Sequence, residues 1–415
     1  MNDLPRKRLR FLLEKAIPAA GRKLMEASGE VTFLPMEAIG EQGELDTSRM
    51  IRFHEASAGY TLFFDGDVVV AKITPCFENG KGALISGTAT GLGLGTTELY
   101  VLRPGVNIDG KYLYYITADP AFRILGETQM TGAAGQKRVP EDFVRDYVVA
   151  VPPLSIQTQI GQFLDTEIGV IDNLISTKTA WLDLLAEKRR AVIAEAVMRG
   201  LNPTAPLRPS GIDWLGDIPA HWELERSRWL FQERDERSEA GEEEMLTVSH
   251  LTGVTPRSEK DVNMFEAETT AGYKLAFEGD LVINTLWAWM GAMGTARVNG
   301  IVSPAYNVYT PGPRLIPDYV DALVRIPVFA QEVTRYSKGV WSSRLRLYPE
   351  GFFQTYWPVP PIVEQREIVG HISTETARID RLRAATEHSI TLLKERRGAL
   401  IAAAVTGQIA IPEAA

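Results

Sequence analysis

The chain is written twice. Residues from Val151 onward recur from Val359 onward, 208 positions later, and the alignment needs no gap. Pro152 and Pro153 match Pro360 and Pro361; Gln157 matches Gln365; Thr166 and Glu167 match Thr374 and Glu375; Ile171, Asp172 and Leu174 match Ile379, Asp380 and Leu382. The register holds through Leu184, Leu185, Glu187, Arg189, Ile193 and Val197, which answer Leu392, Leu393, Glu395, Arg397, Ile401 and Val405. A duplication of this kind restricts the fold to two copies of one supersecondary plan. Each copy reads as a long helix opened by its proline pair, since proline is tolerated before or in the first turn and excluded from the interior. In the first copy Leu164, Ile168, Ile171, Ile175, Leu182, Leu185, Val192 and Ala196 fall on alternating steps of three and four, interrupted by Lys178 and Arg189, a coiled-coil-like seam. Gly200, Asn202 and Pro203 end the first helix, and Gly407 and Pro412 end the second.

Upstream of each helix lies a strand-rich segment, and the two segments echo each other faintly. Phe64, Asp65, Gly66, Asp67, Val68 and Val69 answer Phe277, Glu278, Gly279, Asp280, Leu281 and Val282, a turn feeding an apolar strand, with Asp67 and Asp280 as turn-formers. Pro140, Glu141 and Phe143 answer Pro349, Glu350 and Phe352. The expected architecture is α+β: two mixed α/β globular domains, residues 1–150 and 205–358, and two helical spacers, residues 151–204 and 359–415. Because the second globular block follows the end of helix one and precedes the start of helix two, helices that pack together are antiparallel, with a pseudo-twofold internal repeat.

Composition narrows the setting. One cysteine, Cys76, cannot form an internal disulfide, and no Cys/His spacing suits zinc, so a reducing cytoplasm is expected. No apolar stretch reaches the length of a membrane span, and Glu14 and Lys15 interrupt the run that follows the basic N-terminus before it resembles a signal peptide. The formal charge of -9 argues against nucleic acid if taken as a sum. Its distribution argues otherwise: acid gathers between Glu223 and Glu244, whereas residues 333–349 carry Arg335, Lys338, Arg344 and Arg346 and no acid.

Catalytic motifs are missing. Gly80, Lys81 and Gly82 lack the spacing and hydroxyl of a phosphate loop, and Thr96 stands where a dinucleotide loop begun by Gly91 and Gly93 needs its last glycine. His54 and Glu55 open a zinc-helix pattern that Ala58 breaks. The Asn/Asp-Pro-Pro-aromatic signature of amino-methyltransferases is missing, and so is the Glu-x-Lys triplet of common nuclease metal sites.

The openings VPPLSIQTQI and VPPIVEQREI, the helix ends AEKRRAVIAEAVMRG and KERRGALIAAAVTG, and the run GIDWLGDIPAHWE resemble the DNA specificity subunits of type I restriction-modification systems. Nothing equivalent to Gly211 through Glu223 precedes the first globular block. The resemblance implies a non-catalytic chain whose two target recognition domains each read half of a bipartite, asymmetric double-stranded DNA target, with the helices setting the unread gap. It implies two modification (methyltransferase) subunits docked on the helices, at positions such as Ile171, Leu182, Leu185, Arg189, Ile379, Ile390, Leu393 and Arg397. Restriction subunits carrying the motor and nuclease would join them. The chain itself would hold no cofactor; S-adenosylmethionine, ATP and Mg would belong to the partners. A coiled-coil scaffold joining proteins without reading DNA is the competing reading.

Two loops at matching places are the expected DNA readers. Ser337 to Tyr348 carries Lys338, Ser342, Ser343, Arg344 and Arg346 with Trp341, and Thr131 to Val139 carries Gln136, Lys137 and Arg138. Lys72, Lys81, Asn284 and Arg297, which follow the shared turns, join the candidate set. Trp287 and Trp289 alternate as core residues of a strand would, and core packing is expected for them. The basic clusters Lys188 to Arg190 and Arg396 to Arg397 lie toward helix C-termini, where the dipole favours positive charge whatever the function, and partner docking or DNA contact is the equal alternative.

Overall fold

The computed structural model describes residues 4–17, 19–27, 29–56, 59–133, 135–259, 269–339 and 345–410. Two compact units divide the chain, Met1–Thr179 with Glu387–Ala415, and Ala180–Thr386. Both proline pairs are followed by single helices of 46 and 44 residues, Leu154–Arg199 and Ile362–Val405. Each ends within two residues of a glycine at positive φ, Gly200 and Gly407, a left-handed conformation that terminates a helix at no side-chain cost.

Unit one holds a four-stranded sheet ordered Met50–Arg52, Glu30–Leu34, Leu92–Gly95, Thr61–Phe64, and a three-stranded sheet centred on Val68–Ala71. Strand Val68–Ala71 is buried at every residue and pairs antiparallel with Leu99–Leu102 and Gly82–Leu84. Unit two carries a four-stranded sheet ordered Phe231–Arg234, Tyr306–Pro311, Leu281–Asn284, Met293–Thr295. Its apolar strand Leu281–Asn284 is again wholly buried. In each unit a closing strand just before the proline pair returns to pair with an early one: Val148–Ala150 with Arg6–Arg8, and Tyr356–Val359 with Glu223–Arg226.

Helix and globular block are joined by a latch present in both units. Gln157 and Gln365 are fully buried. The Gln157 amide donates to the carbonyls of Pro152 (2.8 Å) and Asn107 (3.1 Å), and its oxygen accepts the Asp109 N–H (2.9 Å). Gln365 repeats this with Pro360 (2.8 Å), Arg314 (2.8 Å) and the Ile316 N–H (3.0 Å). A buried amide with every partner in place fixes one geometry, because losing any of them strands a desolvated group.

A second latch uses tyrosine. The Tyr112 hydroxyl lies 3.0 Å from the carbonyls of both Ala150 and Val405, and the Tyr319 hydroxyl 3.1 Å from those of Pro358 and Val197. Unit one is thus fastened to the end of the second helix and unit two to the end of the first. In unit two, Arg189 pairs with Asp380 at 3.2 Å while Gly200 lies against Glu364, so the two helical stretches run antiparallel there. Unit one holds the same pair with the copies exchanged, Arg397 to Asp172 at 2.9 Å.

Candidate nucleic-acid interface

In each unit the buried central strand leaves the sheet into an exposed loop, and the later basic loop docks on the start of it. The Val139 N–H donates to the Lys72 carbonyl at 2.9 Å in unit one, and the Leu347 N–H donates to the Thr285 carbonyl at 3.1 Å in unit two. Two loops far apart in sequence therefore become one surface, twice, through the same backbone bond.

In unit one the surface comprises residues 72–81, 131–133 and 135–138. The closing loop is a narrow hairpin: the Thr131 and Arg138 backbones exchange bonds of 3.0 and 2.8 Å, and Thr74 N–H donates to the Lys137 carbonyl at 2.9 Å. Gln136 and Lys137 are exposed on it, and no ion-pair partner meets Lys137 among the described residues. Arg138 is exposed as well, but its guanidinium is bidentate to Glu98 (2.9 and 2.7 Å), whose carboxyl is held below its ordinary range by those bonds. Lys72 lies over the Tyr100 ring at 5.3 Å. Lys81 is directed inward to the Met36 carbonyl at 2.9 Å and fastens the loop. Beneath it Arg123 is buried without a carboxylate, its guanidinium satisfied by the carbonyls of Thr117, Phe77 and Gly80 at 2.7, 3.1 and 3.2 Å. Burial pushes its pKa down to about 10, which keeps it charged at neutral pH.

Unit two presents residues 285–291 beside Lys338 and Arg346, the described ends of the basic loop. Lys338 and Arg346 exchange two backbone bonds of 2.9 Å, which aligns the stems of the basic loop. Lys338 is exposed, and Arg346 is half-buried with its guanidinium 5.4 Å from the Tyr348 ring. Ser342, Ser343 and Arg344, with Trp341, lie outside the described residues.

Other expected positions fall differently. Asn284 is only 7% exposed; its amide donates to the Tyr306 hydroxyl at 3.1 Å and its oxygen accepts the Leu286 N–H at 3.3 Å, so it frames the loop from inside. Arg297 is exposed but held by Asp318 and, at 3.5 Å, by Asp321, acids on the following helix Pro317–Val324. The tryptophans are the clearest correction. The strand stops at Asn284, so Trp287 and Trp289 occupy a turn instead of alternating along a sheet, and Trp287 is 51% exposed.

The helix positions expected to bind a partner are used within the chain. Ile171 and Leu185 are buried along the first helix and Ile379 along the second, while Leu182, Ile390 and Leu393 are half-buried. Arg189 and Arg397 form the ion pairs described above. What remains outward is a matched set of leucines on both copies, Leu174 with Leu382 and Leu184 with Leu392, at 45–62% exposure.

Unit two also contains a cavity of about 720 Å³ lined by Arg189, Arg190, Arg297, Ala322, Ala330 and Ser373 among others. At the matching places of unit one stand Tyr115, Arg123 and Asp165, with the Tyr115 hydroxyl donating to Asp165 at 2.8 Å. Among the described residues no group of three or more His, Cys, Asp or Glu side chains could hold a metal, and no helix is long and apolar enough to cross a membrane.

Comparison with solved structures decides the fold. One chain from a study of complex assembly and conformational transition in a type I restriction-modification system superposes with a TM-score of 0.74 at 16% identity, covering 99% of this chain and 100% of that one. The HsdS subunit of Thermoanaerobacter tengcongensis superposes with a TM-score of 0.57 at 17% identity, covering 98% and 97%. The fold is that of a type I specificity subunit. Sequence relatives agree: the EcoAI specificity subunit of Escherichia coli is 45% identical over 133 residues, 32% of this chain and 23% of that protein. The EcoEI specificity subunit, also from Escherichia coli, is 41% identical over 156 residues, 37% and 26%. The chain matches about a quarter of the length of these curated relatives. No family model matches it.

Proposed function

We propose that this chain is the non-catalytic sequence-reading subunit of a type I restriction-modification complex. Residues 1–150 and 205–358 each read one half of a bipartite DNA target, and the helical segments 151–204 and 359–415 set the gap between the halves. Carrying this reading is the composite loop surface that recurs in both units through one backbone bond, Val139 to Lys72 and Leu347 to Thr285. Exposed cations on a hydrogen-bonded hairpin suit phosphate, and neighbouring side chains on the second loop suit base edges. Methyl transfer, ATP hydrolysis and cleavage fall to partner subunits, which would bring S-adenosylmethionine, ATP and Mg, in the cytoplasm. Leu174 with Leu392 in unit one, and Leu382 with Leu184 in unit two, are the proposed docking faces for two modification subunits. Equivalent positions of a repeat offer one partner the same face twice.

The test uses the chain assembled with its modification subunits. Lys137→Ala and Lys338→Ala are each expected to weaken duplex binding and to flatten the salt dependence by about one unit. Sequence-independent binding with unchanged slopes would return the chain to the scaffold reading. Inserting four residues into the first helix is expected to change the tolerated gap and leave both half-sites as they were, read by mapping methylated sites.

A further inference from the structure

Unit two carries something that unit one lacks at the same place. Where unit one's central strand runs on into Lys72 and a loop tied inward, unit two's runs into Leu286, Trp287, Ala288, Trp289 and Met290. Leu286, Trp287 and Met290 are 49%, 51% and 38% exposed, side by side in one short turn. Exposed apolar side chains scattered singly are ordinary, but a contiguous group that includes tryptophan marks a surface that meets something.

The turn is rigid. Asn284 N–H donates to the Ala292 carbonyl (3.0 Å), Ala292 N–H to the Trp287 carbonyl (3.1 Å) and Trp287 N–H to the Asn284 carbonyl (3.0 Å), closing the loop at its neck. Ala288 is fully buried and anchors its middle, and Gly291 supplies the positive φ of 85° that turns the chain back. The Trp289 indole N–H donates to the Leu286 carbonyl at 3.1 Å, and the Trp287 ring stacks on Trp289 with centroids 6.2 Å apart and planes 20° from parallel. One face of Trp287 is thus supported by a second indole while half of the side chain is open. The turn packs on the helix Pro327–Tyr336, which leads directly into Ser337 and Lys338, and the Leu347–Thr285 bond ties it to the far stem of the same basic loop.

A flat, preorganised π surface beside cations on a hydrogen-bonded stem is the arrangement that suits a nucleobase, whose π-face stacks on the ring while its phosphates meet the cations. We propose that Trp287 is a stacking platform for a base of the DNA half-site read by unit two, inserted at or against a base step, and that it distinguishes this half-site's recognition from that of unit one. The inference rests on the DNA-reading function proposed above. Side chains inserted between base steps unstack them and bend the duplex, so Trp287 would favour steps that unstack easily.

The experiment uses the chain assembled with its modification subunits and a duplex carrying the target mapped by methylation in cells. Wild type is expected to show tryptophan fluorescence quenching on binding. Trp287→Ala should lose most of that quenching and weaken binding about 10-fold or more, in line with the loss of one stacked base. Trp287→Phe should retain most of the affinity, and neither variant should change the salt slope, because no phosphate contact is removed. Trp287→Ala that assembles normally and binds with unchanged affinity overturns the proposal. So does Trp287→Ala that fails to assemble while Trp287→Phe assembles, since the turn would then face protein. A wild-type complex without sequence-selective duplex binding removes the DNA-reading function itself, a different failure, visible before any variant is made.

Discussion

Both units bury an aspartate at the foot of their central strand and neutralise it with an arginine, but they recruit that arginine from different strands. In unit one Asp67 accepts the Phe64 N–H at 2.9 Å and two bonds from Arg103 at 3.0 and 2.8 Å. In unit two Asp280 accepts the Phe277 N–H at 2.9 Å and the Arg234 guanidinium at 2.8 Å, while Thr310, at the position matching Arg103, donates its hydroxyl at 2.8 Å. The guanidinium carbon sits 4.8 Å from the Phe64 ring in one and 4.7 Å from the Phe277 ring in the other. What the two halves retain is a requirement: a carboxylate that is 3% exposed must have compensating donors. The residue meeting it has changed strand.

That difference can be broken experimentally. Arg103→Ala leaves Asp67 with one backbone donor and is expected to cost about 3–5 kcal/mol, the range for stranding a buried charge. Arg234→Ala leaves Asp280 with both Phe277 and Thr310 and is expected to cost less, about 2–3 kcal/mol, with Arg234→Ala plus Thr310→Val returning to the larger loss. Chemical denaturation monitored by far-ultraviolet circular dichroism, which both units contribute to, measures all three; equal losses for the two arginines would mean that Thr310 carries no compensation.

A second asymmetry concerns Glu332, which is 2% exposed at the place where unit one has Leu125. Burial is the largest effect on its carboxyl and raises the pKa, opposed by the hydrogen bond from the Tyr356 N–H and by Arg335. A raised acid binds more protons folded than unfolded, so stability is fully present below the unfolded value near 4.3 and falls as pH rises through the folded one. Glu332→Gln is expected to remove this decline and to stabilise unit two at pH 7. Melting temperatures across pH 4 to 8 check it, and an unchanged profile would show the carboxylate to be compensated.

The smallest effect separates the two crossed ion pairs. Arg397 and Asp172 are 14% and 25% exposed, Arg189 and Asp380 43% and 51%. Arg397→Ala should therefore cost more than Arg189→Ala, whose loss stays within about 0.2–1 kcal/mol. The ratio of the two losses should widen from low to high salt, because only the exposed pair is strongly screened.

The sequence was most informative where both copies solved a problem with the same residue. The proline pairs and the Gly-Asp turns are visible as identities, because backbone geometry leaves few alternatives there, and the helix-ending glycines Gly200 and Gly407 recur one place out of register. Gln157 and Gln365 were visible as a match, though their bonding was not. The tyrosine latch was hidden by a slip: Tyr112 and Tyr319 are 207 apart while the helices are 208 apart, so a search that allows no gap passes them. Arg103 and Arg234, the arginines that neutralise the buried aspartates, left no trace in the alignment, since each faces an unrelated residue in the other copy. In the candidate loops Lys137 and Lys338 are exposed, whereas Asn284 and Lys81 turn inward, because a polar side chain in sequence does not disclose which way its loop turns.

The tyrosine latches also impose a schedule on synthesis. Unit two is one continuous stretch, but unit one is completed only by residues from Glu387 onward, with Tyr112 bonding the Val405 carbonyl. A ribosome adding about 5–20 residues per second leaves Ile168, Ile171 and Ile175 waiting on the order of tens of seconds for Ile401 and Ala404 to emerge. The half made first is therefore the half that closes last, and its apolar helix face is the surface most in need of shelter on the nascent chain.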